Sequence, residues 1–239
     1  MVELRVVLRA PGAKARLLTR APSKVVPQRP SWIYNPEETS PCSLAFFTNR
    51  RSFTLRLTIS PTMLLEDQRV AVLVDKSFED LEFWVPVMRL REAGAEVVIA
   101  GRAADETFTG KNGLSATTEV AARRLDADDL DGIVVPGGWA PDKLRRDEGV
   151  TGLVREMDAQ DRIVAQICHA GLVGISAGIV EGHRATGSQG IKDDLINAGA
   201  EWVDEAAFRD GNQVWGRVVK DIPAFCRVLM QVLKEDATS

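Results

Sequence analysis

Hydrophobic and polar positions keep no lasting period over the first quarter of the chain, and from Gln68 they settle into short regular blocks. Arg69-Val-Ala-Val-Leu-Val74 is an unbroken run rich in β-branched residues, the pattern of a strand buried on both faces. A polar loop covers residues 75–80. Leu81, Trp84, Val85 and Met88 then recur at helical spacing. Pro86 is expected to kink that helix or mark a late start, and Gly94 to end it. Glu96-Val-Val-Ile-Ala100 is a second strand, which completes one β-α-β unit. Residues 107–118 alternate and carry Gly110 and Gly113, which predicts a small β excursion. Gly132-Ile-Val-Val-Pro136 is a third strand, ended by Pro136-Gly-Gly138. A helix follows over 148–159. Arg162-Ile-Val-Ala-Gln-Ile167 is a fourth strand that runs straight into Cys168. Small residues fill 169–178, as a helix packed closely on a sheet needs. The last helix places Ile222, Phe225, Cys226, Leu229, Met230 and Leu233 on one stripe, with Asp221 as its N-cap. Alternating strands and helices predict an α/β domain with a mostly parallel sheet covered on both faces. Ligands of such sheets bind at the carboxyl ends of the strands.

Residues 1–62 contrast with this domain, which is assigned to 63–239. They hold seven of the eleven prolines, and they carry ten Lys/Arg against three Asp/Glu. Val2 to Leu8 has the composition of a short strand, with nothing following that would pair it. A disordered basic tail, an Arg-rich transit peptide and a start assigned too early all fit this segment. The last is favoured, because a compact pattern begins almost at once after Met63. The net charge of −4 therefore hides a basic leader and an acidic domain. An acidic domain offers no general attraction to nucleic acid. No apolar run approaches the roughly 18 residues of a membrane helix. Cys42, Cys168 and Cys226 are too few and too scattered for a disulfide framework or a zinc site, so a reducing, cytoplasmic setting is expected. Nothing points to a metal or another cofactor.

The residue with most chemical promise is Cys168. A buried strand delivers it to a turn that opens a helix, the setting of a nucleophile elbow. A helix N-terminus is expected to lower its pKa. The plain alternative is a small buried hydrophobe, which is the reading for Cys226 on its apolar stripe. His169 follows at once, either as a proton carrier or as a surface residue. His183 sits in a polar turn and is expected to be solvated. Glycines at 137 and 138 let backbone N–H groups approach a ligand, so Gly138 and the N–H after Cys168 are candidates for an oxyanion hole. Glu79 overhangs the same sheet edge, as a partner for the sulfur or as a helix cap. Asp142 either orients a histidine or caps a short helix, and local physics favours the cap.

Four stretches together resemble the PfpI-type intracellular proteases of the ThiJ/PfpI superfamily, over about residues 69–234. They are Val-Leu-Val-Asp-x-x-Phe-Glu-Asp-x-Glu, Val-Pro-Gly-Gly-x-Ala-Pro, Ile-Cys-His, and Gly-Ile-Lys-Asp-Asp-x-Ile-Asn-Ala-Gly-Ala-Glu-Trp-Val-Asp. The resemblance implies a flavodoxin-like three-layer sandwich related to class I glutamine amidotransferases. It implies that Cys168 is the nucleophile, that Glu79 hydrogen-bonds its sulfur, and that Gly138 and His169 supply the oxyanion hole. It implies that His169 pairs with an acid from a neighbouring subunit, at the position of Asp142, in a homodimer or hexamer. Ala170 stands where the family usually has glycine, Asp142 where glutamate is frequent, and Val219 where proline is frequent.

Two functions follow. The first is a stress-related cysteine hydrolase acting on peptides or reactive carbonyl compounds. The second is a non-catalytic oxidative-stress protein, a redox sensor or a holding chaperone, that uses the same cysteine. A cofactor-binding flavodoxin-like domain is disfavoured, because Glu79 and Asp80 occupy the first β-α turn where a phosphate needs glycines.

Overall fold

The structure, a computed structural model, describes residues 65–236 and, within 1–62, the backbone of four strands. The chain divides into two compact units, Met1–Thr62 and Met63–Ser239. In the first, β1 (Arg5–Leu8) pairs antiparallel with β2 (Arg16–Leu18) and parallel with β3 (Cys42–Thr48), which forms a hairpin with β4 (Arg51–Leu57). The expectation that the first strand lacks a partner is thereby corrected: its partners lie further along the leader than sequence spacing suggests.

The second unit is built on a seven-stranded sheet. Its order is β14 (Ala207–Asp210), β15 (Gln213–Gly216), β11 (Ile163–Ile167), β10 (Gly132–Val135), β5 (Arg69–Leu73), β6 (Glu96–Gly101), β9 (Val120–Ala121). All neighbours run parallel except the edge pair of β14 and β15. β7 (Thr107–Thr109) and β8 (Ser115–Thr117) form a separate hairpin, and β12 (Arg184–Ala185) pairs with β13 (Glu201–Trp202). Two helices, α1 (Asp80–Glu92) and α6 (Ile222–Asp236), pack together on one face of the sheet. The other face carries α3 (Glu148–Ala159) and α4 (Gly171–Ala177), with α2 (Ala140–Leu144) and α5 (Lys192–Asn197) against α4. The central strands β5, β10 and β11 are buried almost throughout. This is the expected three-layer, mostly parallel α/β sandwich.

The chain leaves β5 in one direction toward β6 and β9, then returns to place β10 on the other side. The order therefore reverses between β5 and β10, and an open sheet offers its crevice at such a point, beyond the strands' carboxyl ends.

Three local expectations change. The buried row of α1 is Phe83, Pro86, Val87 and Leu90 together with Glu82, while Leu81 and Met88 are exposed. Apolar residues surround α1 on nearly every side, so their spacing does not choose the inward face. Pro86 sits inside the helix, which starts at Asp80. Asp221 directly precedes α6, but its carboxylate accepts from Arg217 at 2.9 Å.

Candidate active site

The strand β11 ends at Ile167, and Cys168 turns the chain with φ of 63°. A non-glycine residue there is strained by about 1–3 kcal/mol. That strain is the geometry of an elbow, with a single 3₁₀ turn over 168–170 leading into α4. Behind it Ala170, Gly171, Val173, Gly174 and Ala177 are buried, so the short helix lies close on the sheet as its small residues predict.

The neighbouring strand β10 ends in the glycine pair. A Cβ on Gly137 would lie 2.5 Å from Glu82 Oε2 and 2.7 Å from Cys168 Cβ, so no larger residue fits. Gly138 has φ of 76° and forms an isolated antiparallel bridge with Phe78. Strand end and helix start are tied in both directions: the N–H of Glu79 donates to Gly137 O at 3.2 Å, and the N–H of Gly137 donates to Glu82 Oε2 at 2.9 Å.

The carboxyl that reaches the sulfur is Glu82, not Glu79. Glu79 is the N-cap of α1. One of its oxygens accepts from the N–H of Leu81 at 2.9 Å and of Glu82 at 2.8 Å, and the other accepts from the Asn112 amide at 3.1 Å. A carboxylate at an N-cap turns back onto its own helix. Glu82 stands one turn in, on the buried face, and is fully enclosed. The sequence held a signal for it: Glu82 shares the i, i+4, i+8 row with Pro86 and Leu90, and an acid on a buried row is costly unless used.

Burial, then the charge of Glu79, raises Glu82 from 4.5 to about 7. Burial, then the charge and hydrogen bond of Glu82, pushes the Cys168 thiol up to about 12. The backbone N–H groups of His169 and Gly138 both point at the sulfur and pull the other way. The expectation of a thiol made acidic by a helix N-terminus is thus corrected. The turn after Cys168 is short, and burial beside a carboxylate outweighs it. Between pH about 7 and about 12 Glu82 and Cys168 together hold one proton, which rests on the sulfur, and Glu82 Oε1 is buried without another partner. With the proton on sulfur, Glu82 carries the charge. With the proton on Glu82, the sulfur is a thiolate under two N–H donors, and the carboxylic acid faces it.

His169 places Nδ1 3.3 Å from Cys168 Sγ. Burial, then the nearby Lys111, lowers its pKa, so it is neutral at pH 7. The Trp139 ring lies 6.0 Å from the His169 ring, centroid to centroid, and Trp139 is largely exposed. Within this one chain Asp142 does not reach His169. It is the third residue of α2, not its cap, and is bound at the surface by Arg146 at 2.6 and 2.8 Å, which lowers its pKa. His183, expected to be solvated, is half-buried and contacts Asp210 at 2.9 Å. Cys226 is buried on α6, as its stripe predicts. Among the described residues no group of three or more His, Cys, Asp or Glu could hold a metal ion. No described helix is long and apolar enough to cross a membrane.

The DJ-1/PfpI family pattern matches residues 68–232. The chain belongs to the DJ-1/PfpI family. Within that family it is similar to a deglycase of Pyrococcus horikoshii, 40% identical over 166 residues that make up 70% of this chain and 99% of that protein. It is 34% identical to protein/nucleic acid deglycase 2 of Escherichia coli, over 70% of this chain and 98% of the relative. Among solved structures, a two-domain protein of Anabaena variabilis with DJ-1/ThiJ/PfpI-like and ferritin-like domains matches with a TM-score of 0.69 and 37% identity. The match covers 70% of this chain and 48% of that longer one. The relatives' names describe hydrolytic enzymes, and this DJ-1/PfpI chain has the flavodoxin-like sandwich of the family.

Proposed function

We propose that the protein is a cysteine hydrolase of the deglycase type, acting through Cys168 on reactive carbonyl compounds and their adducts with amines. The observation that carries this reading is the elbow at Cys168, partly buried at the end of β11 beside the enclosed carboxyl of Glu82, with the N–H groups of Gly138 and His169 turned to its sulfur. The thiolate adds to the aldehyde carbon of a 2-oxoaldehyde, or displaces the amine from its carbinol adduct, and the amine leaves with a proton. The oxygen on that carbon is held by the two N–H groups. Glu82 gives its proton to that oxygen when the aldehyde is attacked, and to the departing amine when the adduct is. It then takes the hydrogen from the attacked carbon as a proton and returns it to the neighbouring carbonyl carbon, while the hydroxyl proton on the first carbon's oxygen passes to the oxygen of the second. The product is a 2-hydroxyacyl thioester, which water cleaves to a 2-hydroxy acid and the free thiol. Peptide cleavage needs the same nucleophile and also a well-held acid for the leaving amine. In the single chain His169 has no carboxylate to orient it. Asp142 of a second copy would complete that arrangement, which is the reading for a homodimer or hexamer.

The test is turnover of methylglyoxal, of its lysine adduct and of peptides by the full chain. Cys168→Ser should abolish turnover, and Glu82→Gln should cut kcat by about a hundredfold or more with KM little changed. Turnover that survives Cys168→Ser overturns the reading. Peptide cleavage without carbonyl turnover moves it to a peptidase.

A second reading is favoured by the same two N–H groups. They are placed to hold oxygens added to the sulfur as well as a substrate oxyanion, which suits a protein whose Cys168 responds to oxidants. Selective oxidation of Cys168 without turnover of any substrate supports that reading against the first.

A further inference from the structure

The turn between β7 and β8 is tied to the start of α1 by more bonds than a surface hairpin needs. Buried Asp80 accepts from the N–H of Asn112 at 2.8 Å and of Leu114 at 2.7 Å. Glu79 accepts from the Asn112 side chain at 3.1 Å. Ser77 donates to Thr109 O at 2.9 Å, and Lys111 donates its own N–H to Phe78 O at 2.9 Å. Phe78 is in turn bridged to Gly138, whose N–H faces the sulfur. Two consecutive buried carboxylates at a helix start therefore hold the turn at Asn112 and Leu114, and the Phe78 carbonyl holds the backbone of the exposed Lys111 next to the bridge between Phe78 and Gly138. The charge of Lys111 acts on both Glu82 and His169. The carboxylates of Glu79 and Asp80 are taken up by backbone and amide donors. Among the described residues Lys111 has no ion-pair partner.

We propose that Lys111 is an anion subsite of the Cys168 site, receiving the carboxylate of a substrate whose electrophilic carbon lies over the sulfur. 2-Oxoaldehydes that carry a carboxylate beyond the two carbonyl carbons are then taken in preference to neutral ones. The choice of carbonyl compounds rests on the function proposed above; the subsite itself does not. The selectivity is modest, because the ammonium is exposed and partly screened by water.

The experiment separates the two claims. Alkylation of Cys168 in the full chain is followed by peptide mass with iodoacetate, an anion, and iodoacetamide, its neutral counterpart. Both reagents meet the same thiolate, so the ratio of their rates cancels any change in cysteine pKa and reads only the field at the mouth. Lys111→Gln should lower the iodoacetate-to-iodoacetamide ratio by about tenfold, one charge interaction across a partly hydrated gap. Lys111→Arg should keep the ratio near that of the native chain. An unchanged ratio in Lys111→Gln, or an equal fall in Lys111→Arg, overturns the subsite. Turnover of 4,5-dioxopentanoate, a 2-oxoaldehyde that carries a carboxylate, against neutral methylglyoxal is the second arm. A ratio that falls as expected in a protein that turns over neither compound upholds the subsite and removes the function.

Discussion

Replacing Glu82 by Gln removes a charge that folding makes costly. In the unfolded chain its carboxyl titrates near 4.5, and in the folded domain burial and the charge of Glu79 raise it to about 7. A group with a raised folded value keeps its proton longer in the native state. Below 4.5 both states are protonated, and Glu82 makes no contribution to the pH dependence. Between 4.5 and about 7 the native state binds more protons than the unfolded state, so stability falls as pH rises. Above that window the full cost is present, about 3 kcal/mol at about 1.4 kcal/mol per pH unit. Gln keeps an acceptor for the N–H of Gly137 and does not titrate. The stability of Glu82→Gln relative to the native chain should therefore climb through this window by about 3 kcal/mol and then level off. In a unit of this size that corresponds to roughly 6–12 °C in Tm. The assay is urea unfolding of the full chain, native and variant, from about pH 4 to about pH 8.5. Glu79, Cys168 and Lys111 face this position in both proteins, so the difference between the two profiles reads chiefly Glu82. Two parallel profiles would refute the reasoning, because Glu82 would then not titrate from a raised value and the one-proton pair would not exist.

Gly137→Ala should lower stability by at least about 2 kcal/mol, because its Cβ has no room between Glu82 and Cys168, and a neutral urea midpoint would contradict that packing. Mild peroxide should modify Cys168 before Cys226, because Cys168 is partly exposed and Cys226 is buried, while burial raises both thiols, to about 12 and about 11; peptide mapping that finds Cys226 oxidised first would show that access does not decide. Asp142→Ala should leave unfolding almost unchanged, because Asp142 is exposed and bonded only to Arg146. If Asp142 serves a second copy, mixing Asp142→Ala subunits with Cys168→Ser subunits should restore turnover that each lacks, and a stable monomer in sedimentation removes Asp142 from the site.

The sheet was legible because its central strands are short, continuous and apolar, a pattern that parallel strands buried on both faces impose. The elbow was legible for the same reason: Ile167 ends one such strand and small residues follow. The carboxyl at the sulfur was not. Glu79 and Glu82 differ by one turn, and choosing between them requires the inward face of α1. That face is ambiguous in a helix where Leu81, Phe83, Trp84, Val85, Val87 and Met88 surround the axis. The pKa of Cys168 was misjudged because sequence shows the helix start and not the buried carboxylate beside it. Lys111 was invisible as a site residue, since only long-range bonds to residues 77–80 bring its turn to the strand ends.

The reciprocal bonds between Gly137 and the start of α1 carry a consequence for the newly made chain. Gly137 and Glu82 are 55 residues apart, and Cys168 comes later still, on a third strand. Until β5, β10 and β11 have been laid side by side, the thiol has neither its carboxyl partner nor the N–H of Gly138. An incompletely folded chain thus carries an ordinary cysteine with ordinary, unselective reactivity. Charge discrimination between alkylating reagents at Cys168 appears only once these three strands are joined, so the onset of that discrimination during refolding times their long-range pairing.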